Sequence, residues 1–176
     1  MGFHLKIDDK YYISDINESD KDAFVEHLSN KDVSEYTKRI PWPYTAADAD
    51  WWIKNVADIT EKYGRSLNWA IRDHKGYLIG SVAFLDLEGE KASIGYWLAK
   101  PYWRQGIMSK AVKVVTELGF RDFGFKRIDG SVFVGNKGSA GVLTKCGFKS
   151  EGVYKQLPRN DGTMTDVLLF CKINNK

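Results

Sequence analysis

Between Ile94 and Ala111 the chain reads Ile94-Gly95-Tyr96-Trp97-Leu98-Ala99-Lys100-Pro101-Tyr102-Trp103-Arg104-Gln105-Gly106-Ile107-Met108-Ser109-Lys110-Ala111. The pattern predicts a strand that enters a tight turn at Gly106 and passes directly into a helix. Such a turn offers several backbone N–H groups at the positive end of a helix dipole, which suits an anion such as a pyrophosphate. Glycine at position 106 allows phosphate oxygens to approach the backbone where a Cβ would obstruct them. Arg104 and Lys110 can add positive charge. The same strand–glycine–helix joint also occurs as plain structure, so by itself the turn admits both readings.

Other constellations carry less. Gly130 to Lys137 resembles a Walker A loop at a glance, but Asn136 occupies the required lysine position and Ser131 to Val134 reads as strand. No G-x-G-x-x-G follows a strand, which argues against dinucleotide chemistry. Cys146 and Cys171 lie far apart in core-like sequence and read as reduced, buried thiols of a cytoplasmic protein. Three scattered histidines do not make a metal site, and no metal is expected. Asn17-Glu18-Ser19 matches a glycosylation sequon, but without a secretory leader the match carries no weight.

The elements that must position these residues follow from periodicity. The 176 residues suit one domain, expected over residues 1–176, and no repeat or linker divides them. Tyr11 to Ile16 reads as a strand, preceded by a short one at Phe3 to Ile7. Ser19 is the expected N-cap of a first helix, and Thr45 with Asp48 the capping box of a second. The stretch between them holds Pro41-Trp42-Pro43 and cannot be one helix. Leu67 to Arg72, Tyr77 to Leu85 and Ala92 to Ala99 form an antiparallel meander, the first turn being Asp73-His74-Lys75-Gly76. Ser109 to Phe120 and Ser139 to Cys146 read as helices; Arg127 to Val134, Phe148 to Lys155 and Met164 to Lys172 as strands. The class is mixed α/β.

Composition bounds the function. Apolar residues make up 43% and charged residues 28%, ordinary for a folded protein. The balance of 26 basic against 23 acidic residues, +3, is too weak for a duplex nucleic-acid partner but fits one small anion. No apolar run is long enough for a membrane span.

In its motifs the chain resembles the GNAT N-acetyltransferase superfamily, in particular the ribosomal-protein N-terminal acetyltransferase branch. The pattern R/Q-x-x-G-x-G/A maps onto Trp103-Arg104-Gln105-Gly106-Ile107-Met108, and Ile94-Gly95-Tyr96-Trp97-Leu98 matches the branch's preceding strand. Val134-Gly135-Asn136-Lys137-Gly138-Ser139 matches V-x-N-x-x-S. Leu143 to Gly152 matches L-x-K-x-G-F-x-x-E-G, and Asp161-Gly162 to Asp166-Val167 fits the family's ending. The ordered blocks span roughly residues 9 to 172.

The resemblance implies a mostly antiparallel sheet of about seven strands with about four helices, splayed where the donor enters. It implies acetyl-CoA as donor, with its pyrophosphate on the N–H groups of Arg104, Gln105, Gly106, Ile107, Met108 and Ser109. The pantetheine arm would run along Trp97, Leu98 and Ala99, with Asn136 as a hydrogen-bonding partner. Ser139 matches the family's general acid for the departing thiolate. The chain departs from the pattern at Trp103, Met108, Lys110 and Pro158, and at Ser93, where relatives often carry a catalytic glutamate. The general base therefore has no matching residue; Asp86, Glu88 and Asp129 are the carboxylates expected near enough to serve.

On the acceptor side the family builds its cleft from the first two helices, their loop and the last strands. Here these bring Tyr36, Trp42, Tyr44, Trp51, Trp52, Tyr154 and Arg159, of which Trp42, Tyr44 and Tyr154 are the expected cleft walls. The expected activity is direct acetyl transfer to a primary amine, either a protein N-terminus or a small molecule. The missing carboxylate at Ser93 keeps a non-catalytic acyl-CoA-binding domain as the alternative, and oligomeric state is not readable.

Overall fold

A computed structural model describes residues 2–159 and 161–175. Among these, eight strands form one sheet in the order β1-β2-β3-β4-β5-β6-β8-β7. The strands are β1 (His4–Lys6), β2 (Tyr12–Asp15), β3 (Asn68–Arg72), β4 (Leu78–Glu88), β5 (Lys91–Leu98), β6 (Arg127–Phe133), β7 (Lys149–Pro158) and β8 (Met164–Ile173). Five α-helices accompany them: α1 (Lys21–Leu28), α2 (Lys31–Ser34), α3 (Ala46–Tyr63), α4 (Ile107–Asp122) and α5 (Lys137–Lys145). The expected class is observed; the eight strands match those read from periodicity, one more than the about seven the resemblance implied, and there is one more helix than anticipated. The additional helix, α2, spans four residues, too few to leave a periodic signature, and begins where the Asn30 side chain accepts the Asp32 N–H.

The chain condenses into two compact units. One runs from the N-terminus through Ala83 and includes Tyr96–Ile107; the other comprises Phe84–Gly95 and Met108 to the C-terminus. In the first unit, β1, β2 and β3 are antiparallel neighbours, and β3 pairs with β4 from Asn68↔Ala83 to Arg72↔Leu78. Helix α3 opens with the expected box: Thr45 Oγ1 accepts the Asp48 N–H, and Asp48 accepts the Thr45 N–H. The first helix begins differently from expectation. Asn17, not Ser19, caps a short 3-10 turn reciprocally with Asp20, and α1 continues from that turn. Phe24, Leu28, Val33, Tyr44, Ala49, Leu78 and Trp97 pack together as this unit's core.

In the second unit, α4 buries Ala111, Val112, Val115 and Leu118 along one face. Phe84, Phe123 and Phe125 form an aromatic triangle with ring centroids 5.1–5.5 Å apart. The parallel ladder of β5 with β6 consists of Lys91↔Arg127, Ala92↔Ile128 and Ser93↔Asp129. Along its other edge β6 pairs with β8 from Arg127 to Phe133 in a seven-pair antiparallel ladder. Both cysteines are free and buried. No helix among the described residues is long and apolar enough to cross a membrane.

Candidate active site

In the first unit the end of β5 is fixed from both sides. Trp97 buries its indole with Phe24, ring centroids 5.9 Å apart, and near the buried His27 at 6.4 Å. A Cβ at Gly80 would stand 2.6 Å from the Trp97 carbonyl oxygen and 2.9 Å from Leu98 Cδ1, so only glycine permits this strand approach. The Ala99 N–H donates to Ile79 O at 2.8 Å. Strand N–H groups alternate between the two edges, so Leu98 and Tyr96 present theirs to the edge away from β4. Of the three residues expected to line a pantetheine arm, Leu98 thus has its N–H directed outward, whereas Ala99's is engaged.

Pro101 sits in a 3-10 turn, Lys100–Tyr102, after which the chain bends sharply. The Trp103 indole N–H donates to Leu98 O at 2.7 Å, and the Gln105 amide donates to Pro101 O at 2.9 Å. These bonds pull the turn back onto the strand end. Arg104 and Gly106 both take left-handed backbone conformations, φ 61 and 75. A Cβ at Gly106 would meet nothing within 4 Å, so the space beside it is open. The Arg104 side chain is exposed and makes no hydrogen bond or ion pair with any described residue.

The first turn of α4 carries no acidic residue, and its dipole is positive at that end. Met108 is buried, as is Ile107 at the end of the first unit. The N–H groups of a first helical turn have no intrahelical acceptor and point along the axis past the helix N-terminus. The Ser109 carbonyl accepts the Cys146 thiol at 3.1 Å, and burial pushes that thiol's pKa up.

Asn136 follows β6 and caps α5: its Oδ1 accepts the Ser139 N–H at 3.0 Å. The cap is therefore Asn136, and Ser139 is the third residue beyond it, with its hydroxyl on the first turn. Among the described residues Asn136 Nδ2 has no protein acceptor, so its two donors remain for a ligand. The candidate bases divide. Asp129 is bound by Arg127 Nε at 2.6 Å and Lys91 Nζ at 3.1 Å, which holds its carboxylate as an ion-pair partner. Asp86, at φ 49, and Glu88 are exposed on β4. Ser93 stands in register with Asp129.

The aromatic residues separate as well. Trp42 is 46% exposed and Tyr154 59%, whereas Tyr44 is 6% exposed, inside the first unit's core. Tyr44 thus sits in packing, and burial raises its hydroxyl pKa. Trp52 packs against the same core, and Trp51 is exposed. Sequence reading passed over Phe133, on whose ring Arg159 lies, guanidinium carbon 5.1 Å from the centroid. Arg159 Nε is buried without a hydrogen-bond partner, a state that costs about 1–3 kcal/mol. No local pattern joins these two residues, 26 positions apart.

The chain belongs to the GNAT acetyltransferase family: the family pattern described as Acetyltransferase (GNAT) domain matches residues 11–149. A curated relative, "Uncharacterized N-acetyltransferase YoaA" of Bacillus subtilis (strain 168), is 31% identical over 166 residues, 92% of each chain. Among solved structures, an acetyltransferase (GNAT family) from Bacillus anthracis aligns with TM-score 0.85 at 21% identity, covering 99% of this chain and 100% of that one. RimL, a ribosomal-protein alpha-N-acetyltransferase in complex with coenzyme A, aligns with TM-score 0.85 at 19% identity, covering 97% and 98%. The protein is an N-acetyltransferase of this family, with ribosomal-protein acetyltransferases among its structural neighbours.

Proposed function

We propose that the protein transfers acetyl from acetyl-CoA directly to a primary amine, with residues 1–176 acting as one N-acetyltransferase domain. The observation that carries this reading is the turn at Arg104–Gly106: two left-handed residues, an unpaired arginine and open space, leading into α4. Such a turn suits the donor's pyrophosphate. RimL's complex with coenzyme A supports the same donor class. The outward N–H of Leu98, in the first unit, suits the pantetheine arm, and in the second unit the amide donors of Asn136 suit a ligand carbonyl.

Little further machinery is needed. The thioester is activated, and its thiolate, with a pKa near ~8.5 by analogy with cysteine, is an acceptable leaving group. The amine attacks the carbonyl carbon, the tetrahedral oxyanion is stabilised by strand N–H groups, and the C–S bond breaks. Ser139 gives its proton to the sulfur and regains one from solvent water. An α-amine with pKa ~8 is about one-tenth neutral at pH 7, whereas a lysine-like amine with pKa ~10.4 is neutral about one part in two thousand. With Asp129 engaged by two cations and Asp86 and Glu88 exposed on β4, the amine's proton passes to solvent water. An α-amine is therefore the favoured acceptor.

Acetyl-CoA consumption in the presence of peptides with varied N-terminal residues and of small amines tests the proposal. Thiol release that depends on an amine is expected; tight donor binding without turnover on any acceptor would replace it with an acyl-CoA-binding role. Ser139→Ala should lower kcat at least tenfold with little change in acetyl-CoA KM, the scale expected of proton transfer. An equal effect on donor binding would remove the acid assignment.

A further inference from the structure

The β7–β8 hairpin holds an arginine, Arg159, whose Nε has no hydrogen-bond partner among the described residues. Arg159's backbone is fixed, its N–H donating to Thr163 O at 2.8 Å and its carbonyl accepting from Gly162 at 3.1 Å. Its guanidinium lies on the Phe133 ring within cation–π range. Nε is buried without a partner, and no described carboxylate forms an ion pair with the group. Asp161, two residues on, is an electrostatic neighbour of Arg159, but the hydrogen bonds of the nearby acids go elsewhere. Asp161 Oδ1 accepts both the N–H and the hydroxyl of Thr163, and Asp166 takes the Lys155 ammonium and the Gln156 N–H. Three arginines that are ion-paired contrast with it: Arg72 binds Asp20, Arg121 binds Asp122 and Arg127 binds Glu151. Arg104 likewise has no partner among the described residues, and under the proposed function it faces the donor's phosphates.

The location narrows the use. Phe133 ends β6, and its carbonyl accepts the Asn136 N–H at 3.0 Å, so the ring precedes the turn that carries Asn136 and leads to Ser139. All these residues belong to the second unit. A buried polar group left unpaired is retained where an incoming partner completes it, and a planar guanidinium matches a carboxylate in a two-point fork. The ring restricts the guanidinium plane in advance, which reduces the ordering lost on binding.

Resting on the acetyltransferase reading, we propose that Arg159, held on Phe133, sets acceptor specificity by binding a carboxylate carried by the amine substrate. The carboxylate can belong to an acidic residue following a peptide's N-terminal amine or to a free amino acid.

The test compares acceptors that differ by one charge: a peptide with aspartate against asparagine at its second position, and a free amino acid against its amide. Wild-type protein should favour the carboxylate member of one pair by about 10- to 100-fold in kcat/KM, the scale of one charged hydrogen-bonded contact. The pair that shows this identifies the source. Arg159→Met should bring the ratio close to one, Arg159→Lys should keep part of it, and Phe133→Leu should lower it while the charge remains. Melting temperatures check that each variant folds. A wild-type ratio near one in both pairs, or a ratio unchanged in Arg159→Met, would overturn the assignment while acetyl transfer stands. Absence of transfer to any amine would overturn both.

Discussion

Asn136 does two things with one amide. Its oxygen caps α5 and its nitrogen is left over, so Asn136→Ala should cost about 1 kcal/mol of stability and also raise acetyl-CoA KM. Asn136→Asp keeps the capping oxygen and removes the donor, and should therefore raise KM while restoring the melting temperature. Equal stability losses in both variants would contradict the division. Gly106 is the other residue whose role is local. Gly106→Trp should abolish measurable donor binding by calorimetry, because it fills open space and forces a side chain onto a φ of 75. Unchanged affinity would refute the pyrophosphate assignment. Both residues were legible because their chemistry is written within six consecutive positions. Arg159 on Phe133 was not, because only the sheet brings those residues together.

At the scale of elements, what can be read in the sequence is what hydrogen-bonds locally. Thr45 and Asp48 form the expected box because the pattern is closed over four residues. Ser19 loses the cap to Asn17 because a 3-10 turn precedes α1 and moves the reciprocal pair to Asn17 and Asp20. Asp20, the residue just after Ser19, is the other half of the actual box. The closeness of β4 to β5 had no local signal, since Gly80 looks like any strand glycine until Trp97 is placed against it. Gly80→Val should therefore lower the melting temperature and weaken acetyl-CoA binding together, because the displaced backbone is the segment proposed to hold the pantetheine. Calorimetry and thermal denaturation on the same preparation read both; a loss of stability with donor affinity unchanged would separate β5 from the donor site.

For the whole molecule, two ion-pair systems decide how the fold responds to change. Arg72 and Asp20, side chains 8% and 3% exposed, bond at 2.6 Å, and Arg72 also donates to Ser14 Oγ and to the carbonyls of Asp15 and Gly76. Arg72→Met strands a buried carboxylate, which costs about 3–5 kcal/mol; thermal denaturation should show a fall of roughly 10 °C. Such a pair, 52 residues apart in sequence, was invisible before folding. Glu151 behaves differently. Its hydrogen bond from Arg127 holds its pKa at about 2, down from 4.5. A depressed carboxylate stabilises above its unfolded pKa and ceases to as pH falls through its folded value. The melting-temperature advantage of wild type over Glu151→Gln should therefore be present at neutral pH and vanish between pH 4.5 and about 2. It should be small throughout, because the pair is exposed.

The central claim concerns transfer itself. The most direct measurement is release of free coenzyme A from acetyl-CoA, followed with and without amine acceptors and confirmed by the mass of the acetylated product. The account predicts release that requires an amine, is faster for α-amines than for lysine-like amines at pH 7, and is lost in Gly106→Trp. Tight acetyl-CoA binding with no amine acetylated across the panel would contradict it.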